Sequence, residues 1–215
     1  MVFDWITLTL GGCAVACAAG VWALTRPSNE PKRAVDHFSN LVRRNPEDSN
    51  ARFELGIALL RRGQLQESIH QFRVVVEQSP KHAQAHHSLG VALLSTGNPG
   101  AALLHLETAT KLSPIFADAF ASLGAVLLMK SDYHGAKGAL LRAIAIEPKL
   151  AIAHYNLARC YLAGGETNKA IDALREAIGQ DGSMREEIKC GTDFDVLLAN
   201  PSFKQLVYSA QRDAT

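Results

Sequence analysis

The sequence has no surplus of either charge. It carries 22 Lys and Arg against 21 Asp and Glu, a net charge of +1 at pH 7. A nucleic-acid track, which needs concentrated cations, is disfavoured, and so is an acidic tail. Cysteine is scarce too. Four in 215 residues cannot staple a chain of this length. None of Cys13, Cys17, Cys160 and Cys190 forms a C-x-x-C pair, so a zinc ribbon and a thioredoxin-type motif are excluded. No G-x-S-x-G, P-loop, H-E-x-x-H or G-x-G-x-x-G motif occurs. With 47% hydrophobic and 20% charged residues, the remaining composition is that of a globular chain.

Long apolar runs are also missing, with one exception. Residues 5–24 contain no charged side chain, and Asp4 and Arg26 bound the run. Twenty helical residues reach about 30 Å, the hydrocarbon thickness of a bilayer. Trp5 and Trp22 stand near the two ends, where indole rings favour the headgroup region. The run is expected to be a retained transmembrane helix. Residues 1–4 form the tail before it, and residues 25–30 the linker after it. The alternative is a cleaved or lipidated leader. Ala16-Cys17-Ala18 offers a cleavage-like site and Leu10-Gly11-Gly12-Cys13 a loose lipoprotein box. However, no Lys or Arg precedes the run, and apolar residues continue past both sites. Arg26, Lys32 and Arg33 follow it, which directs the C-terminal domain to the cytoplasm or its equivalent. Gly12, Ala16 and Gly20 recur on one helix face, a spacing that lets two membrane helices approach and so allows a homo-oligomer.

What fills the rest of the chain is a 34-residue period. Leu55, Leu89, Leu123 and Leu157 share it, and so do the next residues, Gly56, Gly90, Gly124 and Ala158. Pro46, Pro80, Pro114 and Pro148 form a third column. Ala34, Ser68, Ala102, Ala136 and Ala170 form a fourth. Phe38, Phe72, Leu106, Leu140 and Leu174 make a fifth, and Leu41, Val75, Ala109, Ala143 and Ala177 a sixth. Each column has a packing reason. A first helix, A, carries Leu89, Gly90 and Leu93, and a second, B, carries Ala102, Leu106 and Ala109. The small residues at Gly90 and Ala102 let the two helices cross closely, and a leucine at Gly90 would overpack the crossing by roughly 1–3 kcal/mol. Gly63, Gly97 and Gly165 end the A helices. Asn98 is placed to cap the next helix, with Pro99 in its first turn.

These columns resemble the tetratricopeptide repeat family, whose pattern is W-x2-L-G-x2-Y followed by A, F, A and P. The unit at 151–184 is close, with Tyr155, Leu157, Ala158, Tyr161 and Ala170 in place. The tryptophan position is held instead by Arg52, His86, Phe120 and His154. The resemblance implies an all-α superhelix of antiparallel helix pairs. Its full units are 49–82, 83–116, 117–150 and 151–184, preceded by a half-repeat helix over 31–48. Residues 185–215 are expected to form short capping helices, with Asn200-Pro201 as a helix start.

By the same resemblance the A helices line a concave groove. Its lining would be Asn50, Phe53, Ile57, Leu60 and Arg61 in the first unit, and Gln84, His87, Val91, Leu94 and Ser95 in the second. The third would supply Asp118, Ala121, Ala125, Leu128 and Met129, and the fourth Ile152, Tyr155, Arg159, Leu162 and Ala163. Leu60, Leu94, Leu128 and Leu162 are read as packing between neighbouring A helices. Phe53, His87, Tyr155 and Arg159 are read as contacts for a partner, because aromatic and Arg anchors dominate interfaces. The mostly apolar lining suits an apolar or amphipathic peptide or helix.

The Lys and Asn clamp of the family's chaperone-tail receptors is missing. The Asn ladder of its large glycosyltransferases reads Glu54, Ser88, Ser122 and Asn156 here. His82, His86 and His87 cluster, but no carboxylate or further converging histidine completes a metal set. No catalytic group, metal or cofactor is expected. The resemblance implies a membrane-anchored scaffold that assists assembly or stability of a membrane protein complex. An outer-membrane targeting receptor for amphipathic segments and a self-assembling coat are the other readings.

Overall fold

The structure, a computed structural model, describes residues 30–208. The tail, the apolar run and its Trp5, Gly12, Ala16, Gly20 and Trp22 lie outside the described residues. Among the described residues no helix is long and apolar enough to cross a membrane. They form an all-helical array. A lone helix α1 (Glu30–Arg44) precedes four antiparallel pairs. These are α2 (Ser49–Arg61) with α3 (Leu65–Gln78), α4 (Ala83–Ser95) with α5 (Pro99–Leu112), α6 (Ala117–Met129) with α7 (Tyr133–Ile146), and α8 (Ala151–Ala163) with α9 (Thr167–Gln180). Then come α10 (Met184–Cys190), a short 3-10 turn at Asp195–Leu197, and α11 (Pro201–Tyr208).

The 34-residue register recurs in the backbone. Gly63, Gly97 and Gly165 adopt φ of +73°, +75° and +73° just after their A helices, and Ser131, in the same column, takes +61°. A left-handed residue here reverses the chain into helix B, and glycine does so without a Cβ clash. The caps vary from unit to unit. The Asp48 carboxylate accepts from the Ala51 N–H at 2.9 Å, and Asp132 accepts from the Gly135 N–H at 2.9 Å. Asn98 does not cap α5 as its sequence position predicted. Its amide turns back and donates to the Thr96 carbonyl at 3.1 Å and the Thr96 hydroxyl at 3.2 Å. These two donated bonds orient the side chain, and its oxygen accepts from no N–H of the α5 first turn.

The crossings show why their residues are small. A Cβ on Gly90 would lie 2.7 Å from Leu106 Cγ, and one on Gly124 would lie 2.5 Å from Leu140 Cγ. On Gly56 it would meet the Phe72 ring at 2.6 Å. Facing them, Ala102, Ala136 and Ala170 are fully buried, and so is Ala158, the alanine of the glycine column. Ser68 takes the place of alanine in the first pair, and its hydroxyl donates to the Gly56 carbonyl at 2.8 Å. Phe72, Leu106, Leu140 and Leu174 are fully buried beside these crossings.

The column that departs from tryptophan has its own logic. Each proline turn leaves a carbonyl that no helix satisfies. Arg52 Nη2 donates to the Pro46 carbonyl at 2.7 Å, His86 Nε2 to that of Pro80 at 3.0 Å, and His154 Nε2 to that of Pro148 at 2.9 Å. Phe120 cannot donate, and in that unit Arg142 Nη2 reaches the Pro114 carbonyl at 3.3 Å. Polar residues thus stand in this column because they tie helix A to the turn before it.

Candidate functional site

Successive A helices touch one another, α2 with α4, α4 with α6, and α6 with α8, more closely than successive B helices do. Such packing curves the array with the A helices on its inner side. The groove positions therefore share one inner face, although their exposure falls along the chain. In the first unit Asn50 and Arg61 are exposed, and Phe53, Ile57 and Leu60 are half-buried. In the second, Gln84 and Ser95 are exposed, His87 and Val91 half-buried, and Leu94 buried. In the third, Met129 is half-buried, whereas Ala121, Ala125 and Leu128 are buried. Of the four leucines read as packing residues, Leu94 and Leu128 are buried, and Leu60 and Leu162 retain partial exposure.

Aromatic and polar groups tie neighbouring units together along this face. The Phe53 ring lies 5.0 Å from His82 and 5.7 Å from Phe72, measured between centroids. His87 Nε2 is 3.1 Å from the Ser122 hydroxyl on α6, and its ring meets Phe116 edge-on at 4.8 Å. Burial pushes the His87 pKa down to about 4, so the ring is neutral at pH 7. The carboxyl of Asp118, an exposed residue at the lip of the groove, is raised above its ordinary value by partial desolvation.

The clustered histidines point apart. His82 Nδ1 accepts from the Ala85 N–H at 3.1 Å and so caps α4. His86, after donating to Pro80, accepts at Nδ1 from His105 Nδ1 at 3.1 Å. Among the described residues no group of three or more His, Cys, Asp or Glu is placed to hold a metal. Cys160 is buried, and burial pushes its thiol up to about 11, which leaves it protonated.

The fourth unit differs from the expectation. Ile152 and Tyr155 are buried, at 8% and 3% exposure, so neither is open to a partner. The chain itself covers them. After α10 it breaks at Gly191, and the next residues return across the inner face of α8. The Tyr155 hydroxyl donates to Asp193 Oδ2 at 2.9 Å, and its ring meets Phe194 edge-on at 5.4 Å. Arg159 Nε pairs with the same carboxylate at 3.4 Å, and Arg159 Nη1 donates to Asn156 at 3.2 Å. Burial, and next the charge of Asp193, raise the Tyr155 hydroxyl well above its ordinary pKa. Phe194, Leu197, Phe203 and Val207 close over this point and join the core of α8 and α9. Two of the residues read as partner contacts, Tyr155 and Arg159, thus hold the C-terminal cap. Sequence reading missed Asp193 and Phe194 because residues 185–208 fall outside the repeat columns that placed everything else.

Two family profiles, both described as tetratricopeptide repeat, match the chain. One matches residues 28–83, 65–114 and 87–148, and the other residues 127–185. No curated protein sequence matches it. Among solved structures, MamA residues 41 to the end from Desulfovibrio magneticus RS-1 is similar at a TM-score of 0.63 and 22% identity, over 71% of this chain and 86% of that one. YrrB, described as a TPR protein with an unusual peptide-binding site, is similar at 0.62 and 20%, over 75% and 84%. TTC0263, a thermophilic TPR protein of Thermus thermophilus, gives 0.64 and 21%, over 75% and 90%. Likeness at these identities concerns the fold alone.

Proposed function

The chain belongs to the tetratricopeptide repeat family, and from that premise we propose that it is a membrane-anchored binding scaffold. Its groove takes an apolar or amphipathic segment of another protein and assists the assembly or stability of a membrane protein complex. The observation that carries this reading is the gradient along the inner face. The first three units leave Phe53, Ile57, His87, Val91 and Met129 partly open, whereas the chain's own residues 193 and 194 fill the fourth. A partner segment is therefore held between α2 and α6, with Asn50, Arg61, Gln84 and Asp118 at its polar rim. The peptide-binding site named for YrrB supports this use of the fold. The uncharged run over residues 5–24 supports the anchor, which keeps the groove at the bilayer and raises the effective concentration of membrane-bound partners.

The test is photo-crosslinking in native membranes from a reactive residue at Val91, with Arg175 on the outer face of α9 as control. Adducts with subunits of one membrane complex from position 91 alone are expected. Equal labelling from both positions would remove the groove from the reading. Recovery of the chain in the soluble fraction would remove the anchor.

A further inference from the structure

The turns that lead into the A helices are not alike. One turn column reads Glu47, Lys81, Ile115 and Lys149, and the next reads Asp48, His82, Phe116 and Leu150. Only the turn before α6 carries two large apolar residues in succession. Ile115 stands at 78% exposure, the highest of any large apolar side chain among the described residues. With His82, Ala83, Gln84, Ser113 and Phe116 it lines an open pocket of about 410 Å³. The pocket joins the lip of the groove, because Gln84 belongs to both. Each of its two rings is held by a groove residue. His82 lies 5.0 Å from Phe53, and Phe116 meets His87 edge-on at 4.8 Å. The His82 proton is placed as well. Nδ1 accepts from the Ala85 N–H at 3.1 Å, so Nε2 carries the ring hydrogen. Neither this donor nor the Ser113 hydroxyl nor the Gln84 amide has a hydrogen-bond partner among the described residues.

We propose that this pocket anchors the bound segment by one bulky apolar residue and the neutral peptide carbonyl beside it. The inference rests on the groove reading and adds the point at which its ligand is fixed. The apolar side chain packs on Ile115 and Phe116. The carbonyl accepts from His82 Nε2–H, with Ser113 and Gln84 as further polar partners. Apolar walls with a few converging polar groups are how such pockets orient a ligand, and 410 Å³ lies at the small end of their range of about 300–1,000 Å³. The pocket therefore takes a short stretch of chain, not a whole helix. Charge favours a neutral group. The exposed charges that flank the pocket in sequence are Lys81, next to His82, and Asp118, two residues past Phe116, one of each sign. An ion would lose hydration against Ile115 and Phe116 without a net opposite charge to meet it. A neutral carbonyl loses less and finds a donor. A lysine at position 115, as at Lys81 and Lys149, would put a charge on the apolar wall.

Nuclear magnetic resonance of the full chain in lipid nanodiscs tests it, with N-acetyl-leucine N-methylamide as the probe. A ligand of this size binds with a dissociation constant on the order of 1 mM. The expected result is a saturable shift of the Ile115 methyl groups and of the His82 Nε2 resonance. His82→Asn keeps an oxygen to cap α4 but lacks the Nε2–H, and it weakens binding about fivefold or more. Ile115→Lys, at an exposed site, weakens it as much, whereas Lys149→Ala, in the same column of the next unit, leaves it unchanged. N-acetyl-leucine, with a carboxylate in place of the second amide, binds more weakly than the probe. No saturable shift up to about ten times that concentration overturns the proposal. So does undiminished binding in His82→Asn, or tighter binding of the carboxylate. The groove is read separately, by the adducts from position 91. Adducts there without a probe shift overturn the anchor alone. A probe shift without adducts keeps the anchor and removes the longer groove.

Discussion

The Tyr155 hydroxyl donates to the Asp193 carboxylate at 2.9 Å, and this bond joins the last A helix to the segment that closes the array. The carboxylate serves two donors, because Arg159 Nε reaches the same oxygen at 3.4 Å. All three side chains are largely withdrawn from water, at 3% exposure for Tyr155 and side-chain values of 16% and 14% for Arg159 and Asp193. A repeat array needs such a closure, since its terminal pair has no neighbour to bury its face.

Asp193→Ala leaves a buried phenol without its acceptor and removes one of the Arg159 partners, so it is expected to cost about 1–3 kcal/mol. Tyr155→Phe removes one donor and leaves Asp193 paired with Arg159, so its cost is nearer 1 kcal/mol. Hydrogen exchange at the amides of Phe203 and Val207 reads the cap directly. Both variants are expected to lose protection there, Asp193→Ala more. Unchanged protection in Asp193→Ala would mean that Phe194, Leu197 and Phe203 hold the cap by packing alone.

The repeat columns carried the fold into view because a period constrains every unit by the others. Gly90 and Ala102 could be placed at one helix crossing from the sequence alone, since the same pair recurs as Gly124 with Ala136, and the structure adds that Leu106 and Leu140 press on those glycines. The positive-φ glycines were legible for the same reason. The inner face was harder to read. Tyr155 occupies the same column as Phe53 and His87, and nothing in that column reveals that residues 193 and 194 lie over it. Their contact joins positions 38 residues apart in a stretch without a period. Asn98 misled for a local reason. Its amide donates to two acceptors on Thr96, and a capping preference states nothing about the orientation those bonds set.

Ser131 is the exception in a column of glycines, and it takes φ of +61°. A side chain in the left-handed region costs roughly 1–2 kcal/mol, partly offset in the unfolded chain because glycine loses more entropy on folding. Ser131→Gly is therefore expected to stabilise the chain by about 0.5–1 kcal/mol. Gly97→Ala, which brings the same strain to the second unit with nothing within 4 Å of the new methyl, is expected to destabilise by a similar amount. Urea unfolding of the two variants checks the pair of signs. A neutral Ser131→Gly would show that the loop tolerates serine without strain.

His87 links acidity to stability. Its ring sits between the second and third units, 3.1 Å from Ser122 and edge-on to Phe116, and burial lowers its pKa from 6.5 to about 4. Above pH 6.5 the ring is neutral in both folded and unfolded chains, and its contribution to stability is fully present. Below that, the unfolded chain takes up a proton that the folded chain refuses until about pH 4, so stability falls across this window. The shift corresponds to a loss of roughly 3 kcal/mol when complete. Asp118 and Glu187 work in the opposite direction, because burial raises both carboxyls and the folded chain protonates them first as acid is added. The total profile mixes the two signs, so the informative quantity is the difference between variants. His87→Gln keeps a polar group beside Ser122 and removes the titration. Urea unfolding at pH 7 and at pH 4.5 should show a loss of stability smaller by about 1–3 kcal/mol in His87→Gln than in the parent chain. Parallel losses in the two proteins would remove His87 as the acid-sensitive joint of the groove.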